Sequence, residues 1–195
     1  MSKIFIVMGK SASGKDTIYK ELMKLTKEQL KTIILYTTRP IRTGETNGVE
    51  YHFVNQEQRA RLRKEGKIIE ERVYQTVFGE WAYFTADDGQ INLSENSYLM
   101  ISTLEGYASM VRYYGQENVV PIYIEVEDGE RLERALSRER MQDSPKYEEL
   151  CRRFLADQED FKEDNLQRLQ INRRYHNVDK EQCIRHIMDD IVSLI

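Results

Sequence analysis

The chain has 195 residues, with 29 Lys and Arg against 33 Asp and Glu, a formal net charge of -4 at pH 7. That length suits one globular domain with small insertions, and 40% hydrophobic against 32% charged residues excludes a disordered chain. The charge balance argues against bulk nucleic-acid binding, and no apolar run approaches the roughly 20 residues of a membrane span.

The opening Met1-Ser2-Lys3 runs straight into Ile4–Met8 and a glycine turn, the wrong layout for a signal peptide. Cys151 and Cys183 are too few for a disulfide framework or a cysteine metal site. The expectation is a cytoplasmic protein, monomer or homodimer, with neither nucleic acid nor membrane as partner.

Residues 4–8 form an unbroken apolar run, expected as a central parallel strand covered on both faces. Ile18, Leu22 and Leu25 then recur at helical spacing over 15–27. Residues 33–36 read as a second, short strand. Residues 37–48 shift to Thr, Arg, Gly, Pro and Asn, which is loop chemistry, and 51–54 resume as a strand. Asn55 is positioned to cap a short helix that Gly66 ends. Aromatic-rich β segments follow over 67–74 and 77–85.

From there the strand–helix alternation returns, with strands at 98–102 and 119–126. Helices are expected over 105–114, 128–140 and, as one long element, 147–169. Asp179 caps the last helix, whose stripe is Ile184, Ile187, Met188, Ile191 and Leu194. The fold class is α/β with a mainly parallel sheet. Residues of about 35–89 read as a small sheet-bearing insertion into a core of about 1–34 and 90–195.

Gly9-Lys10-Ser11-Ala12-Ser13-Gly14-Lys15 matches the first seven positions of the phosphate-binding P-loop. Glycines let the backbone curl so that successive N–H groups face one phosphate, and the next helix offers its positive end. Lys15 adds a mobile charge for the β- and γ-phosphates of ATP. Asp16 stands where the pattern has a Ser or Thr hydroxyl for magnesium, and Thr17 follows. Two readings of Asp16 stay open: a Mg²⁺ ligand, since hard cations take oxygen donors, or an acid favoured by the helix dipole.

The stretch TTRPIRTGETNGVEYHFV over residues 37–54 is a polar loop in isolation. Beside a P-loop, its arginines and tyrosine suit a second phosphate through forked, charge-assisted hydrogen bonds. Here the chain resembles the guanylate kinase family, whose signature Thr37-Thr38-Arg39, Arg42, Gly44-Glu45, Gly48, Tyr51 and Phe53-Val54 follow with Pro40 one place early.

The resemblance implies a P-loop kinase fold with a parallel central sheet, a monophosphate-binding insertion and a helical lid at about 138–153. It implies that ATP, with Mg²⁺ at Asp16 or Thr17, lies on residues 9–17 and against Asn177. It also implies that Arg39, Arg42 and Tyr51 grip the phosphate of GMP, that Glu45 positions the arginines, and that Glu70 reads the guanine edge. Lys15, Arg42, Arg153 and a lid arginine would serve catalysis, Arg138 and Arg140 being alternatives for the last.

The chain departs from the family at Leu35, Ile101 and Thr103, where polar or acidic residues serve the base and the metal shell. It departs again at Val77-Phe78-Gly79-Glu80, where a tyrosine and a serine are missing. Phosphate recognition is thus retained more fully than base recognition. Phosphorylation of GMP by ATP is the expected reaction. A kinase of ribose 1,5-bisphosphate, for which Gly14-Lys15-Asp16 is also suitable, and a non-catalytic guanylate kinase-like binding module are the alternatives.

Overall fold

A computed structural model of the chain describes residues 1–76 and 79–195. Val77 and Phe78, part of an expected β segment, lie outside the described residues.

The first strand, β1 (Ile4–Met8), is buried at every position. Its side chains alternate between two cores, as strand geometry requires. Ile4, Ile6 and Met8 face one core with Tyr107 and Met110 of helix α3 (Leu104–Tyr114). Phe5 and Val7 face the other. There they meet Ile18 and Leu22 of α1 (Lys15–Leu25) and Ile184, Ile187 and Ile191 of α7 (Lys180–Leu194). The expected stripes need two corrections. Leu25 and Leu194 are exposed, whereas Cys183 is buried, because a stripe covers the sheet only along the turns that lie over it.

The central sheet has the order β2-β7-β1-β8-β9, with β2 (Leu30–Thr32), β7 (Ser97–Ile101), β8 (Val119–Glu125) and β9 (Arg174–His176). All its pairings are parallel, and helices cover both faces, as parallel sheets require. The second sheet has the order β4-β3-β6-β5. Its strands are β3 (Tyr36–Thr37), β4 (His52–Phe53), β5 (Ile68–Thr76) and β6 (Gly79–Ala86). Helix α2 (Gln56–Lys64) flanks it and begins with a reciprocal Asn55–Gln58 capping box.

Three elements differ from expectation. Residues 33–35 are not a strand; β2 ends at Thr32, and the Gln90 side chain takes both backbone groups of Ile34 at 2.8 and 3.2 Å. The long helix over 147–169 is two, α5 (Tyr147–Asp160) and α6 (Glu163–Arg168). The break lets Phe161 turn inward and stack on Tyr123 at 5.4 Å while Leu166 is buried; one straight rod would strand one of them in solvent. Strand β9 is short and polar, and only its central Tyr175 is buried. No helix among the described residues is long and apolar enough to cross a membrane.

Candidate active site

The phosphate loop leaves β1 and enters α1 through Gly14, whose φ of +83° lies in the left-handed region. A Cβ there would fall 2.5 Å from the Asn177 amide nitrogen. At Gly9 a Cβ would meet the Ile124 carbonyl at 2.5 Å, so neither glycine is replaceable without moving backbone or a buried amide. Asn177, buried just before α7, donates to the Ser13 carbonyl at 2.8 Å and holds the loop from below.

The loop is also braced by two helices, α4 (Asp128–Arg140) and α5. The Ser11 N–H donates to Asp157 at 2.7 Å, and the Ser11 carbonyl accepts from the buried Arg131 at 2.9 Å. Lys10 donates to Asp128 at 3.3 Å and to Gln158. Burial opposes ionisation of Asp128, but bonds from Gln158 and Arg131 and the charge of Lys10 hold its pKa down to about 2. Arg153 reaches the Ser11 hydroxyl at 3.1 Å. Arg138 and Arg140 are both exposed, and Arg138 also lines a small groove between α4 and α5 with Ser11 and Arg153.

Lys15 opens onto a cavity of about 1060 Å³ whose wall also carries Ser11, Arg72, Glu105, Arg153 and Asp157. Asp16 is 77% exposed with a carboxylate oxygen 3.6 Å from Lys15, and Thr17 beside it is exposed. No group of three or more His, Cys, Asp or Glu side chains forms a metal cage among the described residues. The Asp16 carboxylate and the Thr17 hydroxyl, both exposed in the first turn of α1, fit magnesium, which keeps waters and draws most other ligands from phosphates.

Arg39, Glu45 and Tyr51 come together on the second sheet. Both Glu45 oxygens take the Arg39 guanidinium, at 2.7 and 2.5 Å, and one also accepts from the Arg42 backbone N–H at 2.8 Å. These bonds hold Glu45 down at about 2. Glu45 therefore positions Arg39 by its side chain, but Arg42 only by its backbone, and the Arg42 side chain is exposed. Arg39 lies 5.2 Å from the Tyr51 and Phe53 ring centres. None of these residues lines the large cavity. They adjoin it through a relay of rings, Tyr51 to Tyr83 at 5.7 Å and Tyr83 to Tyr74 at 5.8 Å, and Tyr74 forms cavity wall.

Glu70 is buried behind that wall, accepting from the Thr85 hydroxyl at 3.0 Å. Burial raises its pKa, and the charge of Arg72 opposes the rise. At the family's acidic positions, Ile101 packs against the core and Thr103 caps α3 by accepting from the Gly106 N–H at 3.1 Å. Glu105, in the first turn of α3, is one of the acids on this wall, with Glu71, Asp157 and Asp160. The sequence reading missed Arg72, Glu105 and Asp157. Each looks like one more charge on a helix or strand, and no spacing distinguishes it.

A strand, a glycine loop and a helix on a parallel sheet, with a lysine opening onto a cavity beside a second sheet, define a P-loop nucleotide-binding protein. The guanylate kinase family model matches residues 1–163, and the chain belongs to that family. Among curated relatives, the guanylate kinase of Neisseria gonorrhoeae is 35% identical over 102 residues, 52% of this chain and 47% of that one. That of Schizosaccharomyces pombe is 34% identical over 103 residues, 53% and 44% respectively. That of Anaplasma phagocytophilum is 31% identical over 145 residues, 72% and 66%.

The chain thus spans about half the length of the first two relatives. The crystal structure of guanylate kinase from Anaplasma phagocytophilum superposes with a TM-score of 0.61 at 21% identity, covering 98% of this chain and 85% of that one. That likeness establishes the fold.

Proposed function

We propose that the protein transfers the γ-phosphoryl group of ATP to GMP, giving ADP and GDP. The observation that carries this reading is a cavity shared by Lys15, at the end of the phosphate loop, and β5 of the second sheet. Donor and acceptor phosphates have a place to meet there. The division of labour follows, with a core carrying residues 9–17, an acceptor-binding insertion at about 35–89 and a lid at about 138–153.

In this reading the loop amides and Lys15 hold the ATP phosphates, and Asn177 keeps the loop in shape. Arg39, Arg42 and Tyr51 hold the acceptor phosphate, which is largely a dianion at neutral pH. Its oxygen attacks the γ-phosphorus while the bond to the β–γ bridging oxygen breaks, and no proton need move. Arg153, together with Arg138, neutralises charge on the transferring group from the lid side. Catalysis is positioning and electrostatics, without a covalent enzyme intermediate. Asp16 and Thr17 are the residues that would hold Mg²⁺, which supplies charge neutralisation at the β- and γ-phosphates. Packing of α4 and α5 over the loop would keep water from the transferring group.

A coupled assay of ADP release over GMP, dGMP, AMP, UMP and ribose 1,5-bisphosphate tests the reading. GMP is expected to be the best of the five, and folded Lys15→Ala should lose on the order of 10²–10³ in kcat. Preference for ribose 1,5-bisphosphate, or ATP binding without turnover of any acceptor, would replace it.

A further inference from the structure

On β5, Glu70 and Arg72 are two residues apart and share a face of the strand, pairing across to Thr85 and Tyr83. They are not equivalent toward the cavity. The Glu70 side chain is 3% exposed and the Arg72 side chain 21%, and Arg72 forms cavity wall where Glu70 does not. Arg72 Nε lies 3.4 Å from Glu70 Oε2, and it is buried without a hydrogen-bond partner of its own. The other Glu70 oxygen is engaged by Thr85. A buried acid here anchors a guanidinium, and the guanidinium is the polar group of the pair that reaches the ligand space.

A guanidinium carries N–H groups in a fixed fork and no acceptor. Such a fork is satisfied by two adjacent acceptors, and the O6/N7 edge of guanine provides that pair. Adenine offers N7 beside an amino group, which leaves one arm of the fork facing another donor. Hypoxanthine has the same O6 and N7 as guanine. Leu35 and Ile101 offer no polar side chain to the base, and of the two charged residues that β5 brings to the cavity wall, Glu71 is engaged by Arg59 and Arg63 whereas Arg72 Nε has no hydrogen-bond partner.

We infer that Arg72 is the residue that selects the acceptor base, by donating to O6 and N7 of a 6-oxopurine, and that Glu70 is its positioning residue. This rests on the acceptor being a purine nucleotide, as proposed above. The accepted class is then GMP and IMP alike, discriminated from AMP, and the 2-amino group of guanine counts for little.

The test is kcat/KM of the full chain for GMP, IMP, AMP and 7-deaza-GMP in the wild type, Arg72→Met, Arg72→Lys and Glu70→Gln. KM for ATP is recorded alongside as the control for folding and loop integrity. Arg72→Met should lower GMP and IMP by the same factor, roughly 10- to 100-fold, and leave AMP and the KM for ATP nearly unchanged. Arg72→Lys should recover part of the loss, since an ammonium keeps a donor without the fork. Removing N7 should penalise the wild type and not Arg72→Met. Glu70→Gln should reproduce the parallel loss of GMP and IMP in smaller measure.

If Arg72→Met does not fold, Arg72→Lys and the 7-deaza comparison in the wild type decide the matter. The inference is overturned, with the proposed reaction left standing, if the wild type uses GMP while Arg72→Met or Arg72→Lys matches it. It is equally overturned if Glu70→Gln loses GMP but spares IMP, which would mean that the carboxylate reads the 2-amino group itself. A wild type that turns over neither GMP nor IMP overturns the proposed reaction and this inference together.

Discussion

Glu45 shows what a single side chain contributes here. Bonds from Arg39 bring its carboxyl from an ordinary 4.5 down to about 2. The folded protein therefore binds its proton more weakly than the unfolded chain does, and the bonds favour folding wherever the carboxylate is ionised in both states. That contribution is fully present above about pH 4.5 and is lost as pH falls toward 2. Urea unfolding of the wild type and Glu45→Gln should show a stability gap at pH 7 that narrows below pH 4.5. A gap that stays constant through that range would mean that the pair does not hold Arg39. Gly9 and Gly14 act at the same scale, through the space their missing Cβ atoms leave to Ile124 and Asn177.

Helix α5 buries no residue fully, yet it supplies Arg153, Asp157 and Gln158 to the loop. Its attachment is therefore polar and local, and α4 shares the load through Asp128 and Arg131. The Asp157 carboxylate satisfies the Ser11 N–H, an amide in the loop where a phosphate oxygen of ATP would compete. Asp157→Ala should free that amide and tighten ATP binding a few-fold, up to about tenfold, by titration calorimetry. Unchanged or weaker affinity would show Asp157 to be a brace for the loop. The break between α5 and α6 arises at this scale too, because Phe161 and Leu166 must both reach the core.

The molecule as a whole is built on two sheets of unequal depth. The central sheet has a core on each face, with β1 buried throughout. The second sheet rests on Ala82, Phe84 and Ala86 with a few half-buried neighbours. Opening free energies follow such differences in burial. Native-state hydrogen exchange should find the β1 and β8 amides exchanging last, with β5 and β6 exchanging earlier through an opening of their own. Equal protection in both sheets would mean that they unfold as one cooperative unit. Separate opening would suit the proposed reaction, in which the two halves of the site close on two substrates.

The amino-acid sequence by itself determined the P-loop, the order of most elements and the capping of α2 and α7. Each of these is a local pattern: an apolar run, glycines at fixed offsets, an Asx or Asn–Gln cap. Family membership is legible for the same reason, since the signature of residues 37–54 is nearly contiguous. Tertiary structure decided what depends on neighbours distant along the chain. Gln90 takes the backbone of Ile34 across 56 residues and Asp157 takes the Ser11 amide across 146, and no periodicity encodes either. The same holds for Glu70, whose distance from the cavity depends on Arg72 standing in front of it. Local sequence sets which backbone conformations are cheap, but which charge meets which ligand depends on packing that brings remote residues within about 3 Å.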